Sequence, residues 1–209
     1  MTPDNQTLPK RLLQNRFSAE NRLQDLSSYN ATAIKYRLEN YFKFVFVRQP
    51  FERLVSAYLD KFKPDRVDKR YQPIFGAYIV KNYRRNATEK ALKEGNDVTF
   101  EEFVRYLLDP KTRKKKRFNQ HWLSFHETCH PCYVHFDFIG KFETLRDDAA
   151  YVIKELGGGV EFPESESPEH VTHAGKFVET MKRNISAEDY KKIKEIYALD
   201  FDLFGYDIK

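Results

Sequence analysis

The chain has 209 residues, which is enough for one well-packed domain, so we predict a single domain over residues 1–209. A formal net charge of +5 and an isoelectric point near 9.0, with 41% hydrophobic and 15% aromatic residues, exclude a disordered polycation and indicate a globular protein with a basic surface. Charge alone leaves nucleic acid, an anionic membrane surface and an acidic polysaccharide open as partners.

The first part of the chain predicts helices that lead into a buried strand. Residues 1–17 are polar and contain two prolines, so we expect them to be irregular. Residues 20–41 predict two short amphipathic helices, interrupted near Asn30. The apolar run Phe44–Val47 predicts a strand buried on both faces, and Pro50 marks the first turn of a helix. The inner face of that helix carries apolar residues at helical spacing: Phe51, Leu54, Val55, Tyr58 and Phe62.

Arg48 stands between this strand and this helix. Ligands of open α/β sheets bind at the carboxyl ends of the strands, and a helix N-terminus offers N–H groups and a positive dipole end to an anion. The local pattern therefore favours a phosphate at Arg48. An arginine at a strand end can equally pair with a surface carboxylate, so the pattern alone leaves both interpretations open.

A basic run follows the next predicted helix. Thr99 and Glu102 have the spacing of a capping box, and Pro110 ends the helix that they begin. Lys111–Arg117 then holds six basic residues in seven, which is either a solvated loop or a contact for a polyanionic substrate. No recognisable nucleic-acid-binding module accompanies the run, so we do not expect nucleic acid as a partner. The substrate contact would comprise Lys114, Lys115, Lys116 and Arg117.

Both cysteines lie in one short segment with three of the six histidines. Cys129 and Cys132, with His126 and His130, have the residue types of a zinc site, but a structural zinc normally needs four well-spaced ligands and the sequence has no second cysteine pair. A Cys-x-x-Cys redox motif would lack its usual βαβ setting. We therefore expect a local Cys129–Cys132 disulfide, as in a secretory lumen, and no metal.

The last part of the chain predicts a second strand–helix pair and a closing helix. Tyr133–Phe138 predicts a second central strand, and three glycines end the helix Arg146–Leu156 that follows it. Residues 161–170 carry four glutamates and two prolines and predict a loop. The closing helix begins at Ser186 and extends to about Tyr197. Strands that are each followed by a helix are typical of an α/β protein.

Two signals for localisation conflict. No stretch approaches the roughly 18 apolar residues of a membrane span, and the N-terminus has neither the basic nor the apolar region of a signal peptide. Four Asn-x-Ser/Thr sequons nevertheless suggest a glycoprotein of the secretory route. We therefore expect this chain to lack an N-terminal part that carries a membrane anchor. The sequons are at Asn5, Asn30, Asn86 and Asn184.

The spacing from Arg48 to Ser56, with Pro-Phe-Glu-Arg-Leu-Val between them, resembles the 3′-phosphate-binding segment of sulfotransferases that use 3′-phosphoadenylyl sulfate. Further segments resemble Golgi carbohydrate sulfotransferases, and most of all chondroitin 4-O-sulfotransferases: N-A-T-E-K-A-L-K-E-G-N-D-V-T-F-E-E-F, F-N-Q-H-W, C-H-P-C and F-D-F-I-G-K-F-E-T-L. The resemblance implies a P-loop-like α/β fold with a central parallel sheet. It also implies sulfuryl transfer from 3′-phosphoadenylyl sulfate to a glycosaminoglycan hydroxyl, with the 4-hydroxyl of N-acetylgalactosamine in chondroitin or dermatan favoured.

The resemblance also assigns roles to residues. Arg48 and Ser56 would hold the 3′-phosphate through charge-assisted hydrogen bonds. Arg53 is either a second cation for the nucleotide or a member of an ion pair on the exposed helix face. We nominate His121 as the catalytic base, because it lies in a segment that the family shares and beside Trp122, an amphipathic ring that could line a sugar site. A hydrogen-bonded structural histidine is the alternative.

The chain departs from the family pattern before Lys43. The family's 5′-phosphosulfate loop, a strand followed by a P-K-x-x-C-T-N-W-K-type turn, has no match there, so we expect the first strand and this loop to be missing. A histidine that relatives often place near residues 18–21 is absent as well. Three hypotheses follow: a Golgi-lumen sulfotransferase whose sequence here is N-terminally incomplete, an inactive sulfotransferase-like domain, or a basic polyanion-binding module.

Binding and turnover should therefore separate in these 209 residues. We expect weak binding of 3′-phosphorylated nucleotide and little or no sulfate transfer to chondroitin. Charge develops at the 5′ end during transfer, and the loss of one preorganised donor there costs on the order of 10²–10³ in rate. A radiolabelled-sulfate assay, with and without a restored upstream strand and loop, measures this, and robust transfer by the short chain would show that the loop is dispensable.

Overall fold

The computed structural model describes residues 24–63, 70–114, 118–159, 161–162 and 177–207. The predicted irregular segment 1–17 lies outside these residues. Two parallel strands are present, β1 (Phe44–Val47) and β2 (Phe138–Lys141). The helices, in chain order, are α1 (Ala31–Asn40), α2 (Pro50–Phe62), α3 (Ala77–Tyr83), α4 (Glu89–Glu94), α5 (Phe100–Leu108), α6 (Pro110–Lys114), α7 (Phe125–Cys129), α8 (Leu145–Glu155), α9 (177–183), α10 (Ala187–Ile196) and α11 (Ala198–Leu203). Shorter turns are the 3₁₀ helices Leu26–Ser28 and Phe142–Thr144 and the π-helix Gln72–Gly76.

The chain divides into two compact units. Unit 1 comprises residues 1–47 and 125–162, and unit 2 comprises residues 48–124 and 163–209. A mixed α/β protein with a parallel sheet and many helices was predicted, and this is confirmed. The P-loop-like detail and the single domain stay predictions. Every helix that the structure describes is too short or too polar to span a membrane.

The sheet of unit 1 differs from expectation in its second strand. We predicted that strand over residues 133–138, but β2 begins only at Phe138. The residues before Phe138 are not part of the strand. Tyr133, for example, donates its N–H to the carbonyl of His130 and closes a turn. Asp137 accepts the backbone N–H of Lys43 and pairs with its ammonium at 2.7 Å. The strand therefore begins directly after Asp137, whose contacts with Lys43 align β2 with β1.

Burial of β1 on both faces was also wrong. Val47 is buried, but Phe44 is 42% exposed. The described sheet contains only β1 and β2, so each strand has a partner on one side. The pair is close-packed at its centre, where a Cβ on Gly140 would come within 2.5 Å of the Phe46 ring. A glycine at this position lets the ring of the neighbouring strand lie flat against the backbone.

Unit 2 is built around α2, whose apolar residues face inward as predicted. The buried rings interlock at centroid distances of 5.2–6.4 Å in edge-to-face, tilted and stacked pairs, and aromatic quadrupoles favour the edge-to-face and offset-stacked arrangements. This core fixes one surface of α2 and leaves a polar stripe on the other. The rings belong to Phe51, Tyr58, Phe62, Phe100, Phe103, Tyr106 and Trp122.

The helix boundaries of unit 2 follow their capping residues. The predicted capping box of α5 is present, with Thr99 accepting the N–H of Glu102 and Glu102 accepting the N–H of Thr99. The helix α5 ends at Leu108, just before Pro110 as predicted, and Pro110 then begins α6, which suits a proline at the first helical position. The predicted closing helix is α10, capped by Ser186.

A π-helix in unit 2 depends on two glycines that lie against each other. A Cβ on Gly76 would come within 2.0 Å of the Gly95 carbonyl oxygen, and Gly95 has φ +59°. Both positions therefore require glycine. The contact holds the π-helix Gln72–Gly76 against the end of α4. Pi-helical segments are frequent at functional sites because they redirect the side chains around them.

A charged network links the end of α3 to the start of α5. Arg84 donates to both carboxylate oxygens of Glu102, at 2.6 and 2.7 Å, and to Asp97 at 2.7 Å. Burial alone would raise the pKa of Glu102, but the hydrogen bonds and charge of Arg84, together with the N–H of Thr99, hold this pKa below its usual range. The carboxylate thus stabilises the folded state only while it is ionised.

We expect Glu102→Gln to lower the free energy of unfolding at pH 7 by about 1.5–3 kcal/mol, the usual contribution of a hydrogen bond to a charged group. Glutamine keeps the acceptor of the capping box, so the change reports on the charge. Because the folded pKa of Glu102 is lowered, its contribution is complete above the unfolded pKa and is lost as the pH falls towards the folded value. Urea unfolding between pH 7 and pH 3 measures the difference, which should shrink on acidification; a constant difference would contradict the role of the charge.

Candidate functional site

Arg48 lies in the short connection between β1 and α2, as the sequence predicted. Its side chain is only 13% exposed, and its Nη2 lies 3.6 Å from Oε2 of Glu52, one turn into α2. Gln49 caps α2 by accepting the N–H of Glu52 at 2.7 Å, and Pro50 occupies the first turn. The guanidinium is therefore held close to the N-terminus of a 13-residue helix, where the helix dipole favours an anion.

Ser56 lies on the same face of α2 as Glu52, because residues four apart on a helix are neighbours. Glu52, Arg53 and Ser56 are all half-buried, whereas the next polar residue along the stripe, Asp60, is exposed. The first two turns of α2 thus present a polar stripe that is partly shielded from water. The ion pair of Arg48 with Glu52 brings the guanidinium to the end of this stripe.

Arg53 makes two backbone hydrogen bonds that the sequence did not predict, and its contact with the nucleotide stays a prediction. Its Nη1 donates to the carbonyl of Leu123 at 2.6 Å and its Nη2 to the carbonyl of Gln120 at 2.8 Å. The guanidinium is thus hydrogen-bonded to the backbone on both sides of His121. This fork uses two of the five donors of the guanidinium, and it ties the segment around His121 to the polar stripe of α2.

His121 sits in a turn with several long-range anchors. Its N–H donates to Oδ1 of Asn119 at 3.1 Å, and its Nε2 lies 2.9 Å from the hydroxyl of Tyr71. The hydroxyl of Tyr197 donates to the carbonyl of Trp122 at 2.6 Å. The imidazole is half-buried and fixed at both its ring and its backbone. This arrangement is compatible with a catalytic base and with a structural histidine.

Trp122 does not line an open sugar site. Its side chain is fully buried and packs against the rings of Phe62, Phe75 and Phe103. The prediction that it could face a sugar was wrong, because the indole completes the aromatic core of unit 2. Its Nε1 is buried and has no hydrogen-bond partner within the part of the chain that the structure describes.

Comparison with known proteins decides the family. A family model described as "Sulfotransferase family" matches residues 3–207, nearly the whole chain. The chain belongs to the sulfotransferase family. The resemblance noted at the Arg48–Ser56 segment is thereby confirmed at the level of the family.

Curated sulfotransferases match the chain closely. Carbohydrate sulfotransferase 11 of Rattus norvegicus is 40% identical over 202 residues, which are 96% of this chain and 56% of the relative. Carbohydrate sulfotransferase 14 of Danio rerio is 40% identical over 88% of this chain and 48% of its own length, and carbohydrate sulfotransferase 9 of Homo sapiens is 39% identical over 88% and 42%. The chain thus spans about half the length of the curated relatives that it matches. No solved structure gives a significant match.

The basic run of this sulfotransferase-family chain is partly helical. Lys111–Lys114 belong to α6, so the interpretation of the whole run as a loop was wrong for its first half. Pro110 favours the helix by supplying the φ of a first turn. Lys114 is exposed at the end of α6 and stays a predicted acceptor contact. The other members of that prediction, Lys115, Lys116 and Arg117, lie outside the described residues.

The cysteine segment forms a turn without a disulfide. Cys129 ends α7, and the structure has Cys129 and Cys132 as thiols, which differs from the predicted bridge. His130 has φ +50°, and its carbonyl accepts the N–H groups of Tyr133 and Val134 at 2.9 Å. These backbone bonds close the turn, so its shape does not require a bridge. A Cys129–Cys132 disulfide formed in an oxidising compartment stays a prediction.

Three of the four sequons lie in the described part of the chain, and each of their asparagines is exposed. Asn30 caps α1 by accepting the N–H of Ala33, and Asn86 has φ +55° in the turn before α4. Asn184 follows α9, and Asn5 is outside the described residues. Glycosylation therefore stays a prediction at all four. Among the described residues no group of three or more His, Cys, Asp or Glu side chains is placed to hold a metal.

Sequence reasoning missed two features of this site. Tyr71, whose hydroxyl contacts His121, lies just before the π-helix, and no periodic pattern in the sequence predicts that helix. Lys61 is 8% exposed, and its ammonium lies 4.6 Å from the centroid of the Tyr71 ring. The inward position of Lys61 on α2, next to Phe62, was the one signal that could have singled it out. Neither contact between elements could be read from spacing along the chain.

Arg53→Lys should loosen the turn around His121, because an ammonium cannot bond both carbonyls in the fork geometry. Trp122 is the single tryptophan and is fully buried, so its fluorescence reports on this turn. We expect a red-shifted emission and at least twofold faster quenching by acrylamide. The control is Arg105→Lys, at an exposed arginine paired with Glu101. Equal quenching in both variants would mean that the fork does not hold the turn.

Proposed function

We propose that the protein is a carbohydrate sulfotransferase of the Golgi lumen, which transfers a sulfuryl group from 3′-phosphoadenylyl sulfate to a glycosaminoglycan hydroxyl. The favoured acceptor is the 4-hydroxyl of N-acetylgalactosamine in chondroitin or dermatan. The observation that carries the proposal is the mostly buried guanidinium of Arg48 at the start of α2, at the end of the stripe that contains Ser56. Membership of the sulfotransferase family and the names of the curated relatives support the reaction type.

The residues at the start of α2 suit a phosphate group. In the proposed complex, the guanidinium of Arg48 donates two hydrogen bonds to the 3′-phosphate, and the hydroxyl of Ser56 donates a third. Glu52 now holds the guanidinium at 3.6 Å, so the phosphate dianion replaces a single carboxylate as its partner. The positive end of the α2 dipole offsets the remaining repulsion between Glu52 and the phosphate.

Arg53 does not need to contact the nucleotide in this arrangement. Its fork to Gln120 and Leu123 gives it a positioning role between the phosphate residues and His121. His121 would act as the general base, which gains a proton as the acceptor hydroxyl loses its own and the sulfuryl group is transferred. Lys114, together with the basic residues that follow it, would contact the acidic acceptor chain. The net charge of +5 favours such a polyanion over a neutral glycan.

Arg48→Ala should weaken the binding of adenosine 3′,5′-bisphosphate by about 10–150-fold, which corresponds to about 1.5–3 kcal/mol for a charged hydrogen-bonding group. Ser56→Ala should weaken it by about tenfold or less. Neither variant should change the affinity for adenosine 5′-monophosphate, because that nucleotide lacks the 3′-phosphate. Calorimetric titration with both nucleotides measures the two affinities.

Matched controls are available on exposed helices. Arg105→Ala removes an exposed arginine, and Ser27→Ala removes an exposed serine. Both controls should bind the two nucleotides like the parent. Thermal melts of all variants exclude unfolding as the cause of a lost affinity. The assignment of the 3′-phosphate is wrong if Arg48→Ala binds the bisphosphate like the parent, or if it loses affinity for both nucleotides alike.

A further inference from the structure

Tyr71 contacts the ring nitrogen of the proposed catalytic base. Its hydroxyl oxygen lies 2.9 Å from Nε2 of His121, and the two rings meet edge to face at 5.4 Å. Both side chains are half-buried, so water competes weakly for this hydrogen bond. An imidazole nitrogen is a much stronger base than a neutral phenol oxygen. In the uncharged pair, the hydroxyl of Tyr71 is therefore the donor and Nε2 is the acceptor.

The position of Tyr71 is fixed by its neighbours in unit 2. Its ring stacks on Phe75 at 6.0 Å and meets Trp122 at 6.4 Å. The ammonium of Lys61 lies 4.6 Å from the ring centroid, and Asp60 pairs with that ammonium at 2.6 Å. The cation over the ring makes the hydroxyl a better donor, and the carboxylate of Asp60 offsets part of this effect.

The position of His121 is fixed independently of Tyr71. The fork of Arg53 holds the carbonyls of Gln120 and Leu123, on either side of His121. Asn119 accepts the N–H of His121 itself. Because separate elements hold the two partners, their hydrogen bond is a preorganised contact and not a chance encounter of two surface side chains.

We propose that Tyr71 fixes the tautomer of His121 and relays the proton of the acceptor hydroxyl to it. Its hydroxyl donates to Nε2, so the ring proton of neutral His121 resides on Nδ1. The hydroxyl of Tyr71 then occupies the lone pair of Nε2. The tautomer of His121 therefore depends on its hydrogen bond with Tyr71.

The consequence for catalysis rests on the proposed function. The oxygen of Tyr71 takes the proton of the acceptor hydroxyl while its own proton passes to Nε2 of His121. The acceptor oxygen forms the bond to sulfur while the bond from sulfur to the bridging oxygen of the 5′-phosphate breaks, and adenosine 3′,5′-bisphosphate leaves. The phenol is regenerated, and His121 carries the positive charge as imidazolium. Two protons each move by one step, so the net change is one proton from the acceptor to His121, and the donor of the proposed reaction is the only other reactant.

Nitrogen NMR of protein labelled with ¹⁵N-histidine tests the tautomer directly. The chain has six histidines, so His121 is assigned by the signal that disappears in His121→Gln, and the other five serve as internal references. We expect the Nδ1–H tautomer to predominate at His121 in the parent. In Tyr71→Phe it should shift towards the Nε2–H form that imidazole prefers in water. A predominant Nε2–H form in the parent would overturn the inference.

Acylation by diethyl pyrocarbonate, followed by peptide mass spectrometry, tests access to Nε2. This reagent attacks an unprotonated imidazole nitrogen, so His121 should react at least fivefold faster in Tyr71→Phe than in the parent. The matched control is Tyr83→Phe, which removes a hydroxyl that donates to Asp109 at 2.8 Å in the same unit. This control should leave both the tautomer and the acylation rate of His121 unchanged. Equal rates in the parent and Tyr71→Phe, or an equal effect of Tyr83→Phe, would overturn the inference.

The two proposals can fail separately. Both measurements on His121 are made without nucleotide, so they do not depend on the titrations of Arg48→Ala. If Arg48→Ala binds the bisphosphate like the parent while the tautomer and acylation results are as expected, the proposed function is contradicted and the tautomer assignment is supported. If the titrations succeed and the tautomer result does not, only the role of Tyr71 is lost.

Discussion

Two hydrogen bonds from the guanidinium of Arg53 hold the candidate site together. They join the polar stripe of α2, which carries Ser56, to the backbone on both sides of His121. Residues distant in sequence thus share one rigid support. A lysine is a poor replacement for this arginine, because its single nitrogen lacks the two separate donor atoms that reach the two carbonyls.

The support is rigid because the core beneath it is aromatic and close-packed. Trp122 is fully buried among phenylalanine rings, and its backbone carbonyl accepts a hydrogen bond from Tyr197. The residue beside His121 is therefore fixed by the core of unit 2, while the imidazole itself remains half-buried. The buried neighbour thus gives the half-buried ring of His121 a defined orientation without removing it from solvent, as the proposed catalytic role requires.

Two cations of the site are mostly buried. Arg48 and Lys61 each have an acidic neighbour, Glu52 or Asp60. Full burial of an unpaired cation would be costly, so these carboxylates stabilise the two cations. A phosphate that replaces Glu52 as the partner of Arg48 keeps this balance, which is why the start of α2 suits an anion.

Local sequence determined the elements that depend on neighbouring residues. The strand Phe44–Val47, the helix from Pro50 and the Thr99–Glu102 capping box could all be predicted, since periodicity and capping act over a few residues. The partner of Arg53, the burial of Trp122 and the contact of Tyr71 with His121 join positions about 50 to 70 residues apart. Only the tertiary structure decided them, because packing selects such pairs by shape and leaves no regular spacing in the sequence.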